Sequence, residues 1–460
     1  MKTSKNLIAL FILLLIASSC HHWGNRMVID NGKDRIEVQS SGEIAFNDDE
    51  TAIESISGHG YVRFLKNEKK FLAGYKKNGE FKYELYNDGK KLDSDSPEGK
   101  KFITEMVRSM ISTGFGAKEH IKRLVQKGGI KAVLAEVDKI ETDFGKSVYL
   151  EYLIPCDSLT AQQLLEITGK IAKQINSDFE KSKLLQKYNA GQLKDSLTSF
   201  VYFAAAKSIG SDFEKANVLK AIVKQPISDK QTGEIVALSK TVESDFERAN
   251  VLKEIIHQNK LSEPVLNPFL NSAELIKSDF EKANVLKELI HVNKIDSKSI
   301  VPFLNSTGTI NSDFEKANVL KEIIHQNKLD EANLSLFLNT TGTINSDFER
   351  KNILDELIDK QVFQGENFKN MLTSVHQIQT EFDRANLIKK IAGKAINGDD
   401  SWIGLIDEAA QITADFEKCN TLLEIAGKMP KTEEIKASYM KAAKTINAEN
   451  EFGRAVKAIN

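Results

Sequence analysis

Three asparagines and three histidines recur at fixed spacing: Asn250 and His257, Asn284 and His291, Asn318 and His325. An asparagine amide can grip the backbone of a bound chain, and an imidazole can ligate a metal. Seven residues make two helical turns, so each pair lies on one helix face. Asparagine holds the same place seven times in succession, at Asn217, Asn250, Asn284, Asn318, Asn352, Asn386 and Asn420. It is a poor residue for a helix interior, so something specific keeps it there. Duplication explains part of the recurrence. It does not explain Lys351-Asn352, Ala385-Asn386 or Cys419-Asn420, whose neighbours have diverged. Two readings stand: an amide that bridges adjacent repeats, and a ladder that grips a bound peptide. A rigid row of histidines on helices roughly 8–10 Å apart cannot share one zinc ion, which needs each nitrogen at ~2.0 Å. The six residues are therefore taken as a candidate partner-binding strip and not as a metal site.

A second row is basic: Lys146, Lys181, Lys215, Arg248, Lys282, Lys316, Arg350, Arg384, Lys418 and Arg454. Each has an acidic residue three positions before it, within reach along a helix. That pattern reads as an ion-pair ladder, within or between repeats, and the alternating acid argues against a basic groove for an anion. Ser, Thr and Asp are plentiful, but no Ser-His-Asp arrangement, Gly-rich phosphate loop, HExxH or carboxylate-rich metal loop emerges. No catalytic, cofactor-binding or metal residue is assigned, and a non-enzymatic protein is expected. The formal net charge of −2 gives no case for nucleic acid.

The elements that position these rows are repeats. An acidic residue, Phe, any residue, then Lys or Arg occurs with Phe at 144, 179, 213, 246, 280, 314, 348, 382, 416 and 452. The period of about 34 residues marks a repeat array. In Ser278-Asp279-Phe280-Glu281 the serine and glutamate form a capping-box pattern, so a helix begins there. Counting from Phe, Ala at +3, Leu at +6 and Ile or Leu at +9 and +10 continue an apolar stripe that Phe begins. A preceding helix carries a Phe-Leu pair, as at Phe269-Leu270, Phe303-Leu304 and Phe337-Leu338. Two short helices cannot each hide a stripe alone, but stacked neighbours can. Gly145 and Gly453 replace Glu in the terminal copies, as in capping repeats. The Asp-Phe-Glu-Lys-Ala stretch and the repeat length resemble the second helix of tetratricopeptide repeats. The first-helix signature of that family, Trp-x-x-Leu-Gly-x-x-Tyr, is missing in every copy. The resemblance over about 130–460 implies a tetratricopeptide-like or HEAT-like fold. Cys156 and Cys419 lie in the first and ninth repeats, too far apart for a disulfide.

The N-terminus differs. Lys2 and Lys5 precede an unbroken apolar run from Leu7 to Ile16, then Ala17-Ser18-Ser19-Cys20. Ten apolar residues suit a signal-peptide core and not a span. Small residues ending in Cys, with Ala17 where Leu is commoner, resemble the lipobox of bacterial lipoproteins. That resemblance implies export, cleavage before Cys20 and acylation of Cys20. His21 next to it resembles outer-membrane sorting. Residues 20–33 read as lipidated Cys and tether, with His21-His22 able to bind metal only adventitiously. Alternating runs over 34–92 read as a small antiparallel β domain of five or six strands, Asn78-Gly79 forming a two-residue hairpin turn. Residues 93–129 read as bridging helices, ending at Gly128-Gly129. This front half faintly resembles exported segments of bacterial membrane metallopeptidase and sensor proteins.

The expected fold is mostly α: a right-handed αα-solenoid of about ten 34-residue two-helix repeats over 130–460, after the β domain and a signal peptide at 1–19. The expected function is a membrane-anchored extracytoplasmic lipoprotein, periplasmic or surface-facing, that binds a protein or peptide partner of the cell envelope without cofactor. An envelope sensor is the alternative, and a hydrolase with an unrecognised site a further one.

Overall fold

The computed structural model describes residues 25–30, 35–76, 79–156, 159–258, 261–292, 299–326, 329–394 and 396–459. They form two compact units, 1–209 and 210–460.

In the first unit, six antiparallel strands pair in the order β1 (Asn25–Asp30), β2 (Arg35–Ser41), β5 (Tyr61–Lys66), β6 (Lys69–Tyr75), β7 (Phe81–Asn87) and β8 (Lys90–Leu92). A separate hairpin joins β3 (Ile44–Phe46) and β4 (Ile53–Ile56). Alternation sets the inner face. Val38 stands opposite Phe64, Phe64 opposite Phe71 and Phe71 opposite Leu85, all fully buried. A single apolar face needs a cover. Helix α1 (Pro97–Ser112) brings Phe102, Met106, Val107 and Met110, all buried, and ties to the sheet through Lys69–Glu105 and Lys66 Nζ to Ser109 Oγ at 3.4 Å. Its first turn is capped by Ser96, whose side chain accepts from the Gly99 amide at 3.0 Å.

Two expectations for this region are corrected. The sheet begins at Asn25, inside the segment read as tether, because β1 pairs with β2 along its whole length. The short strands β4 and β8 also raise the strand number above five or six. Of the expected Asn78-Gly79 turn, Asn78 lies outside the described residues. Lys76 still bonds Glu80, Gly79 N donates to Lys76 O at 2.9 Å, and Gly79 has φ +82°, as in a longer loop closed by a left-handed glycine. The Gly128-Gly129 stop is found. The helical segment α2 (Ala117–Val137) breaks there, with Gly129 at φ +62°. Helices α3 (Asp143–Leu153), α4 (Ala161–Gln174), α5 (Asp178–Leu185) and α6 (Ser196–Lys207) complete the unit.

The second unit is an αα-solenoid. Its second-type helices are α7 (Asp212–Val223), α9 (Asp245–Gln258), α11 (Asp279–Val292), α13 (Asp313–Gln326), α15 (Asp347–Lys360), α17 (Glu381–Ala392), α19 (Asp415–Ala426) and α21 (Glu449–Lys457). Each packs beside the next of its kind. The intervening first-type helices, α8 (Asp229–Ser239), α10 (Glu263–Glu274), α12 (Ile300–Gly308), α14 (Glu331–Gly342), α16 (Gly365–His376), α18 (Asp399–Ala410) and α20 (Glu433–Ala443), form a second layer.

The central repeats carry two kinds of Phe. Those of the first helices, Phe269, Phe303 and Phe337, are fully buried. Those of the acidic-Phe motif are not. Phe303→Ala is expected to cost about 3–5 kcal/mol through lost burial and a cavity. Phe314→Ala should stay within about 0.5 kcal/mol of the parent. Chemical unfolding of the two variants checks the contrast.

Candidate functional face of the second helices

The acid and base of the motif join neighbouring repeats. The Asp279 carboxylate accepts the Asn311 amide at 3.1 Å and the Ser312 amide at 2.8 Å, both just before the next repeat's second helix. Asp245, Asp313, Asp347 and Asp415 do the same to the backbone one repeat on. Glu381 takes the Asp role against Thr413 and Ala414. The Thr413 hydroxyl and the two amides hold its carboxyl below the usual glutamate range.

The base reaches the other side of the same short connection. Lys282 Nζ lies 3.3 Å from Thr309 O and 3.2 Å from Thr309 Oγ1, at the C-terminus of the next first-type helix. Lys215 meets Thr241 O at 3.1 Å, Lys316 meets Thr343 Oγ1 at 2.9 Å, and Arg350 meets Gln377 O at 2.7 Å. A cation at a helix C-terminus satisfies orphan carbonyls and opposes the helix dipole. Burial pushes the Lys282 and Lys316 ammonium groups below the usual lysine range, against the pull of Asp279 and Asp313. The expected i,i+3 ion pair is thus not the main use of this row. Among the described residues, Arg350–Asp347 and Arg384–Glu381 stand only at 3.8 Å, while Arg454–Glu451 in the last helix pairs at 2.5 Å. The ladder consists chiefly of side-chain bonds to the next repeat's backbone.

The capping box is likewise half made. Ser244, Ser278 and Ser312 accept the amides of Glu247, Glu281 and Glu315. The glutamates turn to the preceding repeat instead: Lys220–Glu247 and Lys253–Glu281 at 3.8 Å, Lys321–Glu349 at 3.5 Å.

The motif Phe is where the structure departs most from expectation. It does not begin the apolar stripe. Phe280 and Phe314 are each 58% exposed, and Phe213, Phe246, Phe348, Phe382 and Phe416 match or exceed 57%. At 100° per residue, the buried positions +2, +3, +5, +6, +9 and +10 centre opposite Phe. Residues 0, +4, +7, +8 and +11 form the open stripe. In α11 these are Phe280, Asn284, Lys287, Glu288 and His291.

That stripe contains all six residues of the candidate strip. Asn250, Asn284 and Asn318 are half-buried, one turn from an open Phe, and among the described residues no hydrogen bond reaches their side chains. A bridging role is seen at Asn420, whose Oδ1 accepts from Arg454 at 3.1 Å. His257, His291 and His325 are about half exposed and face a glutamate of the next repeat: Glu288 at 3.2 Å, Glu322 at 3.6 Å and Glu356 at 3.4 Å. The histidines are thus brought to carboxylates and not to one another.

The face therefore pairs much of its own charge. Lys at +7 meets Glu at +1 of the next repeat, and His at +11 meets Glu at +8. What it leaves open is aromatic rings and amides. Sequence reasoning missed the Phe row, although two signals were present. Val at +5 and Ile at +9 lie opposite Phe, and a Lys recurs in the buried stripe at +2.

Cys20 lies outside the described residues. No helix among the described residues is long and apolar enough to cross a membrane. No family model matches the chain, and no curated protein matches it.

Proposed function

We propose that the chain is a non-enzymatic scaffold that holds an extended, weakly charged protein segment along the open face of its second helices. The observation that carries this reading is the register of exposed Phe rings, one per repeat from Phe213 to Phe416, each one turn from an Asn. Scattered exposed apolar residues are ordinary on a protein surface, but a row of large ones in register costs solubility without stabilising the fold. Aromatic rings dominate the energetics of protein interfaces, and neighbouring amides can satisfy a bound backbone. A partner that supplies apolar side chains and free peptide groups fits such a face. One that depends on net charge does not, since the face neutralises its own. The test is peptide selection against the wild type and a Phe-row variant.

The scaffold is anchored, in this reading, by acyl groups on Cys20 in the envelope of a bacterium, the outer membrane in preference to the inner one. The lipobox-like Ala17-Ser18-Ser19-Cys20 after a ten-residue apolar run supports it. Stable anchoring needs more than one acyl chain, which a doubly modified Cys provides. In cells fed labelled palmitate, the wild type is expected to carry label and to sediment with membranes. Cys20→Ser should carry none and remain soluble after osmotic release. An unchanged distribution of label and protein in that variant rules the anchor out.

A further inference from the structure

His120 is 1% exposed, and Tyr149 Oη sits 2.7 Å from its Nδ1. That contact orients the ring and turns Nε2 toward Glu50, as a ligating histidine's second-nitrogen contact does. Nε2 abuts Glu50 Oε1 without the alignment of a hydrogen bond and has no other polar partner. Glu136 completes the group: one donor atom from each of Glu50, His120 and Glu136 lies within 4.8 Å of the others. Among the described residues, no other trio of His, Cys, Asp and Glu gathers this closely.

The backbone is bent to bring the three together. Residues 120 and 136 in a straight helix would be roughly 24 Å apart along the axis. The break at Gly128 and Gly129 folds the second half of α2 back over the first. Glu50 has φ +57°, a left-handed conformation uncommon outside glycine. Its loop is pinned by Asn47 Oδ1, which accepts the Thr51 and Ala52 amides at 2.8 and 2.9 Å.

We propose that Glu50, His120 and Glu136 bind one divalent zinc ion, which clasps the β3–β4 loop to both halves of α2. Two carboxylates and one imidazole suit zinc, and a water fills the fourth tetrahedral position. A tetrahedral ion at ~2.0–2.2 Å from each donor asks for donor separations of about 3.3–3.6 Å, which rotation of the two carboxylates, now within 4.8 Å, can supply. Two cations stand nearby. Arg123 Nη1 is engaged by the Phe46 and Asn47 carbonyls. Lys139 meets Glu136 at 2.8 Å but is 71% exposed and free to swing away.

Equilibrium dialysis of the detergent-solubilised full chain against Zn²⁺, read by elemental analysis, is expected to give one ion per chain. Glu50→Gln and Glu136→Gln, each with native circular dichroism, should bind at least about tenfold more weakly, and Tyr149→Phe about tenfold. His21→Ala/His22→Ala should bind as the parent does. Co²⁺ in place of Zn²⁺ should give a tetrahedral visible spectrum that Glu136→Gln alters, which keeps the test sharp if Glu50→Gln unfolds. A parent chain that retains no Zn²⁺, parent-like binding by both Gln variants, or loss of binding in the His21/His22 variant overturns the proposal.

Discussion

Replacing Phe246, Phe280 and Phe314 together by serine is expected to weaken binding of a cognate extended peptide by at least about a hundredfold while leaving the fold intact. The three rings sit on α9, α11 and α13, which pack side by side, so one segment can meet all of them. Each ring is 58% exposed and has most of its area still to bury. Aromatic anchors at interface centres each contribute about 1–2 kcal/mol or more on truncation. Three of them, even with imperfect additivity, give about 3–6 kcal/mol, or two to four powers of ten in affinity. Folding should barely register the change, because surface substitutions away from buried features stay within about 0.5 kcal/mol each. The measurement is a fluorescence titration with peptides selected from a displayed random library on the parent chain, beside thermal unfolding of both proteins. Selected peptides should be rich in apolar side chains and poor in net charge. Peptides that bind the triple variant as tightly as the parent would remove the Phe row from the function. The same face carries the charged pairs Lys253–Glu281 and His257–Glu288, which keep it from being wholly apolar.

Much of the fold was legible because repetition multiplies weak signals. One Ser-Asp-Phe-Glu start is an ordinary helix cap. Six such copies, within ten of the acidic-Phe motif at a near-constant interval, fix element type, order and boundary, and the helices begin at Asp245, Asp279, Asp313 and Asp347 as the caps require. Partner and direction were less legible. The acid and base were three residues apart and so were read as partners of an ion-pair ladder, within or between repeats. Their real partners stand 27 to 33 residues on, in the neighbouring repeat, and are backbone groups that carry no sequence signature. The Phe was read as the start of an apolar stripe through +3, +6, +9 and +10. Val285 at +5 and Leu289 at +9 decide otherwise, since a helix has only one buried side. Strand β1 was passed over because its apolar run, Met27-Val28-Ile29, is short and set among polar residues. Glu50, His120 and Glu136 share no motif. A glycine break and a loop of unusual backbone bring them together, and neither is visible as spacing.

Removing the acid at one joint should split the unfolding of the second unit. Asp279→Ala leaves the Asn311 and Ser312 amides without their carboxylate, and Lys282→Ala leaves the end of α12 without its cation. An unsatisfied group costs about 1–3 kcal/mol when buried and less where water can replace the partner. These sites are partly open, so about 1–2 kcal/mol per substitution is expected. The consequence is larger than the number, because a stack of repeats coheres only through nearest-neighbour terms. Weakening one interface lets the repeats on either side melt independently. The double variant should therefore unfold in two steps in urea, with the parent unfolding in one. Hydrogen exchange at Asn311 and Ser312 should quicken before any change at Ala283 or Leu320 in the cores of α11 and α13. Asp279→Asn, which keeps one acceptor oxygen, should fall between. If Asp279→Ala/Lys282→Ala unfolds in one step within about 0.5 kcal/mol of the parent, apolar packing alone joins the repeats. The near-invariant acid and base would then need another explanation, and the exposed Phe between them would be the first place to look for it.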